Sequence, residues 1–177
     1  MRPAVFYIIL FILLSTSFAK SQVPSVATPQ VLEELFNRLV DNYNDNDRIR
    51  INDSIRLIID SYAKSDSVFN HRFNNLRFMG QITSPDSLLK IITWNLVLDS
   101  QPGKYFCYFI RKQDRGKENL IYRLSADYNE KPVRTDAAYN ESDWYGALYY
   151  DLRPYNIDDK RCWILLGLDY GNSFISR

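Results

Sequence analysis

The chain has 177 residues, with 22 Lys and Arg against 21 Asp and Glu and a single His. So balanced a charge supplies no long-range field to draw in a polyanion, which argues against nucleic acid as a ligand. A hydrophobic content of 46% with 15% aromatics excludes a disordered chain, because that much apolar side chain offsets the entropy of ordering.

The first segment carries one charge, Arg2, then an apolar run from Ala4 to Leu14 and a small-residue stretch ending Ser17, Phe18, Ala19. That is the order of a cleavable secretory signal peptide over residues 1–19, with cleavage expected after Ala19. The apolar run is shorter than the roughly 20 residues a membrane-spanning helix needs. No cysteine follows it to accept a lipid. Residues 20–177 are then expected to form a single exported α+β domain without a transmembrane span. Removing Arg2 leaves acidic and basic residues equal in number.

Beyond a short lead, Val31, Leu32, Leu35, Phe36, Leu39, Val40 and Tyr43 recur at helical spacing, and Ile51, Ile55, Ile58, Ile59 and Tyr62 rebuild an apolar face after the polar run Asn42 to Asp47. Two amphipathic helices joined by a short polar loop make a hairpin that needs cover. Ser84-Pro85 reads as an N-cap and first helical position of a short turn. Alternation at Ile92, Trp94, Leu96 and Leu98 then predicts a strand, and Tyr105 to Ile110, apolar throughout, predicts one covered on both faces. Leu120 to Leu124, Trp144 to Leu152 and Cys162 to Leu168 complete a predicted antiparallel β-meander of about five strands, with the N-terminal helical hairpin packed on it. The stretch Ala126 to Asp143 is long for a connection and reads as a functional loop or a short helix. After a Gly171-Asn172 turn, Ser173 to Ser176 begins a strand that stops at Arg177, so the sheet is expected to continue beyond the sequence.

The single histidine, His71, rules out any metal site that needs two imidazoles from one chain. Nucleophile-elbow, P-loop and dinucleotide glycine motifs are absent, and no cofactor is expected. Asn42, Asn44, Asn46, Ile49 and Asp53 fit calcium-loop spacing only in part, with amides where carboxylates are wanted and Asp47 where Gly is, so no metal is assigned. Cys107 and Cys162, the only cysteines, are candidates for a disulfide in an oxidising compartment, or else two separately buried thiols. As nucleophiles their large apolar neighbours suit them poorly. Asp127, Glu130, Asp136, Glu141 and Asp143 crowd the long loop, where a hydrolytic carboxylate pair or simple solvation would both fit. Trp94, Trp144, Tyr145, Tyr149 and Tyr155 are candidates to stack on a ligand, or to pack as core.

In Ile51-Asn52-Asp53-Ser54-Ile55, in the run from Phe69 to Asn95, in Trp144 to Asp151 and in Trp163 to Asp169, the chain resembles uncharacterised exported proteins of Bacteroidetes-type Gram-negative bacteria. The resemblance covers most of the chain beyond the signal segment. It implies a periplasmic or outer-envelope location and carries no catalytic residue. In that setting Asp53-Ser54-Ile55, Asp66-Ser67-Val68 and Asp86-Ser87-Leu88 look like Asp-Ser-apolar acceptors, making Ser54, Ser67 and Ser87 candidates for O-glycosylation. The leading expectation is a non-catalytic envelope module that binds a protein partner or a glycan through Trp94, Trp144, Tyr145 and Tyr149, or serves as a structural component. A small envelope hydrolase using loop carboxylates is the alternative.

Overall fold

The computed structural model describes residues 28–128, 134, 136–158 and 160–169. The signal segment, Glu130 and the turn and strand expected after Tyr170 lie outside these residues. The described elements are helices α1 (Thr28–Asp41) and α2 (Asp45–Ala63), a 3-10 turn (Asp66–Phe69), and strands β1 (Gly80–Thr83), β2 (Leu89–Leu96), β3 (Lys104–Arg111), β4 (Leu120–Asp127), β5 (Leu148–Ile157) and β6 (Lys160–Leu168). No helix among them is long and apolar enough to cross a membrane.

The helices form where the periodicity predicts. Leu32, Leu35, Phe36 and Leu39 of α1 are buried with Ile51, Ile55, Ile59 and Ala63 of α2, whereas Val31, Val40 and Tyr43, in the same apolar run, stay exposed. The polar link is a capping device. Asn42 Oδ1 accepts from the Asn44 amide at 2.8 Å, and Asn44 Oδ1 accepts from the Asp47 amide, satisfying one of the open donors of α2. Among the described residues no group of three His, Cys, Asp or Glu side chains could hold a metal ion.

Strands β1 to β4 form one antiparallel sheet in sequence order, and β5 and β6 form a separate antiparallel pair. The fold is thus α+β with an N-terminal helical pair, but the expected meander divides into four strands and two. Strand β1 is an addition to the predicted set. Ser84-Pro85 does not start a helix and instead turns the chain between β1 and β2. Ser84 Oγ accepts from the amides of Leu88 and Leu89, and Ser87 is left-handed at φ 56°. Strand β5 begins at Leu148 and runs through Pro154 to Ile157, beyond the Leu152 at which the predicted strand ends. Proline is tolerated there because β5 pairs only with β6, so its other edge needs no donor.

Strand alternation sends two apolar sets to opposite faces of the larger sheet. Ile92, Trp94, Leu96, Phe106, Tyr108 and Ile110 meet the helices, while Ile91, Tyr105, Cys107 and Leu124 meet the β5–β6 hairpin through Tyr149 and Leu152. Trp94 is fully buried, stacks on Phe106 and Tyr108 at 5.2 and 5.7 Å, and donates its Nε1–H to Asn52 Oδ1 of α2 at 2.8 Å. The Lys90 side chain is also buried on the helix side and donates to the His71 carbonyl at 3.1 Å. Desolvation, reinforced by Arg72, brings its pKa down to about 8.

A polar clasp ties the N-terminus of α2 to the β2–β3 turn. Asp45 accepts from the amides of Asp99 and Ser100 at 3.0 and 2.8 Å and from the Ser100 hydroxyl, while Arg48 donates to Asp99 and to the Asn42 carbonyl. The Ser100 hydroxyl first, and then the two amides, hold the Asp45 pKa down at about 2.

Two outcomes are expected from these contacts. Asn52→Leu orphans the buried indole N–H and lowers unfolding free energy by about 1–3 kcal/mol, whereas Asn52→Leu with Trp94→Phe removes both partners and costs less than the two single changes added together, as read by urea denaturation. Because the folded pKa of Asp45 lies below its ordinary 3.8, its contribution is fully present above that value and lost as pH falls toward 2. Asp45→Asn therefore flattens the acid limb of a stability-versus-pH curve in that window, measured by thermal melting.

Candidate functional site

The site lies between the hairpin-facing side of the larger sheet and the β5–β6 hairpin. Strand β5 packs against β1 and β2, so the β3–β4 half of that face is left partly uncovered. There Phe109 and Tyr122 stand opposite one another in the β3–β4 register. Together with Trp163 and Leu165 from β6, Trp144 and Tyr145 from the approach to β5 and Tyr149 from β5 itself, they line a cavity of about 810 Å³. This is the size range of small-molecule sites, and mostly apolar walls with a few polar groups are the usual composition.

The segment before β5 is positioned by short local bonds. Arg134 pairs with Asp136 at 3.0 Å and its amide donates to the Tyr139 hydroxyl. Tyr139 meets Tyr145 edge-on at 5.2 Å, and Asn140, Ser142 and Asp143 close a turn upon themselves. Gly146, at φ 86°, then reverses the chain into β5, and a side chain there would overlap the Tyr105 ring. Trp144 and Tyr149 form the floor. Both are nearly buried, and the Trp144 indole donates to the Tyr149 hydroxyl at 2.9 Å. Burial pushes the Tyr149 pKa up, so that hydroxyl stays neutral and remains a donor in its own right.

The mouth is polar. Asp86 from the β1–β2 turn, Arg111 from the end of β3, and Asn140 and Glu141 from the long loop border it. Asp86 already serves its turn, accepting from the Ser84 hydroxyl and the Leu88 amide.

The structure gathers three of the five aromatic candidates, Trp144, Tyr145 and Tyr149, into this one cavity. Trp94 does not belong with them: strand phase puts it on the helix side, where its polar atom is taken by Asn52. Tyr155 is exposed on β5. The loop carboxylates scatter. Asp127 pairs with Lys104, Asp136 with Arg134 and Asp143 with its own turn, leaving Glu141 as the one of these four at the cavity. Phe109, Tyr122 and Trp163 were missed by sequence reasoning. Alternation alone would have grouped Phe109 with Tyr105 and Cys107, but not which cover that face meets.

Of the two readings of Cys107 and Cys162, the bridge is not formed and both residues are free thiols. They stand on different sheets, and Cys162 alternates with Trp163 and Leu165, the β6 residues that pack inward. Cys107 is fully buried, which raises its thiol pKa well above the ordinary value and makes it inert, whereas Cys162 is half-buried beside the cavity. Of the three serine candidates, Ser54 on α2 and Ser67 in the 3-10 turn are exposed, and Ser87 is half-buried in the β1–β2 turn.

No protein-family model matches the chain, and neither the curated proteins nor the solved structures contain a match to it. The site is therefore read from its own chemistry.

A folded chain is expected to titrate one thiol with an aromatic disulfide reagent and the second only in denaturant. Cys162→Ser removes the fast thiol and Cys107→Ser the slow one, monitored by absorbance.

Proposed function

We propose that this chain is an exported cell-envelope protein, non-catalytic, whose cavity binds a glycan. The export reading rests on Arg2, the apolar run Ala4 to Leu14 and the small residues before Lys20. The binding reading is carried by one observation: Tyr122, Tyr145 and Trp163 line the same cavity as the polar residues Asp86, Arg111, Asn140 and Glu141. A sugar ring presents apolar C–H faces and a hydroxyl edge. Flat aromatic walls accept the first, and mixed donors and acceptors at the mouth accept the second. The hydrolase reading has weaker support, since Glu141 alone of the described loop acids reaches the cavity and Asp86 is held by its turn.

Titration with oligosaccharides released from Gram-negative envelopes, followed by tryptophan fluorescence, tests this reading. Saturable quenching is expected, and Tyr122→Ala and Tyr145→Ala should each weaken binding about tenfold, or about 1.4 kcal/mol, at unchanged melting temperature. Absence of saccharide binding at millimolar concentration overturns it. Release of reducing ends that Glu141→Gln abolishes overturns it in favour of the hydrolase.

A further inference from the structure

Four strands present unpaired edges among the described residues, and three of them are guarded. Strand β1 is four residues long, β4 carries Arg123 and Asp127, and β5 carries Pro154, the Asp151–Arg153 pair and a bulge between Tyr149 and Asp151. Such features are how sheet edges avoid pairing with other chains. Strand β6 has neither charge nor proline from Cys162 to Leu168, seven extended residues that pair on the β5 side only; the one irregularity of that ladder, the bulge opposite Leu166 and Gly167, is carried by β5. Its outward side chains are apolar as well. Ile164, Leu166 and Leu168 are 48, 37 and 49% exposed; on β5 the same face carries Tyr155, opposite Cys162 and 53% exposed, and the Asp151–Arg153 ion pair, opposite Leu166 and Ile164. A row of exposed apolar side chains beside an open edge marks an interaction surface.

We propose that β6 is a self-association strand, pairing antiparallel with β6 of a second copy about a two-fold axis to give a four-stranded β5–β6–β6–β5 sheet. The strand is self-complementary in charge. It begins with Lys160 and Arg161 and is followed by Asp169, whose carboxylate also accepts from the Tyr105 hydroxyl of its own chain, so antiparallel pairing sets the basic start of one copy beside the acidic end of the other, and parallel pairing sets like against like. A two-fold centred on Leu165 puts Arg161 opposite Asp169 of the second copy, Cys162 opposite Leu168 and Ile164 opposite Leu166. Residues that already share the outward face remain together in this register, as antiparallel pairing requires. The interface is isologous and closes at two copies.

The test uses protein purified from a host that expresses and processes the full chain. Sedimentation velocity should show a concentration-dependent monomer–dimer equilibrium, and Ile164→Lys should give a monomer with an unchanged circular dichroism spectrum. Leu168→Cys sets a thiol opposite the native Cys162 of the second copy. Within one copy those positions lie about 20 Å apart along the strand, too far for a bond. Mild oxidation should therefore yield a covalent dimer from Leu168→Cys and none from Leu168→Cys with Cys162→Ser, a readout that stands even if Ile164→Lys fails to fold. A wild-type monomer at every concentration, or equal cross-linking in the two cysteine variants, overturns the proposal. So does a monomer whose β6 amides resist hydrogen exchange on the side away from β5, because the chain's own residues 170–177 would then cover the edge. None of these outcomes bears on glycan binding.

Discussion

The structure depends on one constraint: strands β2 and β3 are apolar on both faces, so the sheet they centre must be covered twice. One face holds Ile92, Trp94, Phe106 and Tyr108, and the other Ile91, Tyr105 and Cys107, all buried. Removing either layer exposes a row of large side chains at roughly 25 cal/mol per Å². The helical hairpin serves as one cover and the β5–β6 hairpin as the other. Each is joined by specific polar contacts, Asn52 to Trp94 on one side and the Tyr105 hydroxyl to Asp169 on the other.

The candidate site follows from the inequality of the two covers. Two strands cannot blanket four, and β5 settles over β1 and β2, where Gly80 leaves room for the β5 backbone beside Thr93. Phe109 and Tyr122 are left under the segment from Tyr139 to Tyr145, and the gap between them is the cavity. Trp144 and Tyr149 serve both as core of the second layer and as floor of the site, which joins binding to folding at that point. The second layer also carries the open edge of β6, so the hairpin contributes to both functional surfaces proposed for this protein.

Much of the fold was legible because its signals are local. Helical spacing from Leu32 to Leu39 and from Ile51 to Ile59, and alternation from Ile92 to Leu98, need only neighbouring residues to be read. The site is partly legible: Trp144, Tyr145 and Tyr149 stand close in sequence and share the cavity, whereas Trp94, of the same residue type and on a strand, does not join them. Trp94 sits on the helix side because of strand phase, and an apolar run such as Tyr105 to Ile110 gives no sign of which cover each face meets. Hydrophobic patterning reports that a residue is covered and is silent about what covers it. The turn at Ser84-Pro85 misled for a related reason, since a hydroxyl followed by proline suits a helix start and a strand-to-strand turn equally.

The amino-acid sequence by itself determined the two helices, most of the strands and their amphipathic faces, and with one histidine it cannot supply two imidazoles to a metal from one chain, because these follow from composition and short-range periodicity. Tertiary structure decided the rest. It split the expected five-strand meander into a sheet and a hairpin, kept Cys107 and Cys162 apart as free thiols, dispersed the loop acids and brought Phe109, Tyr122 and Trp163 to the aromatic cluster. Each of these is a matter of which face meets which across tens of residues, and that is set by how the two covers share one sheet.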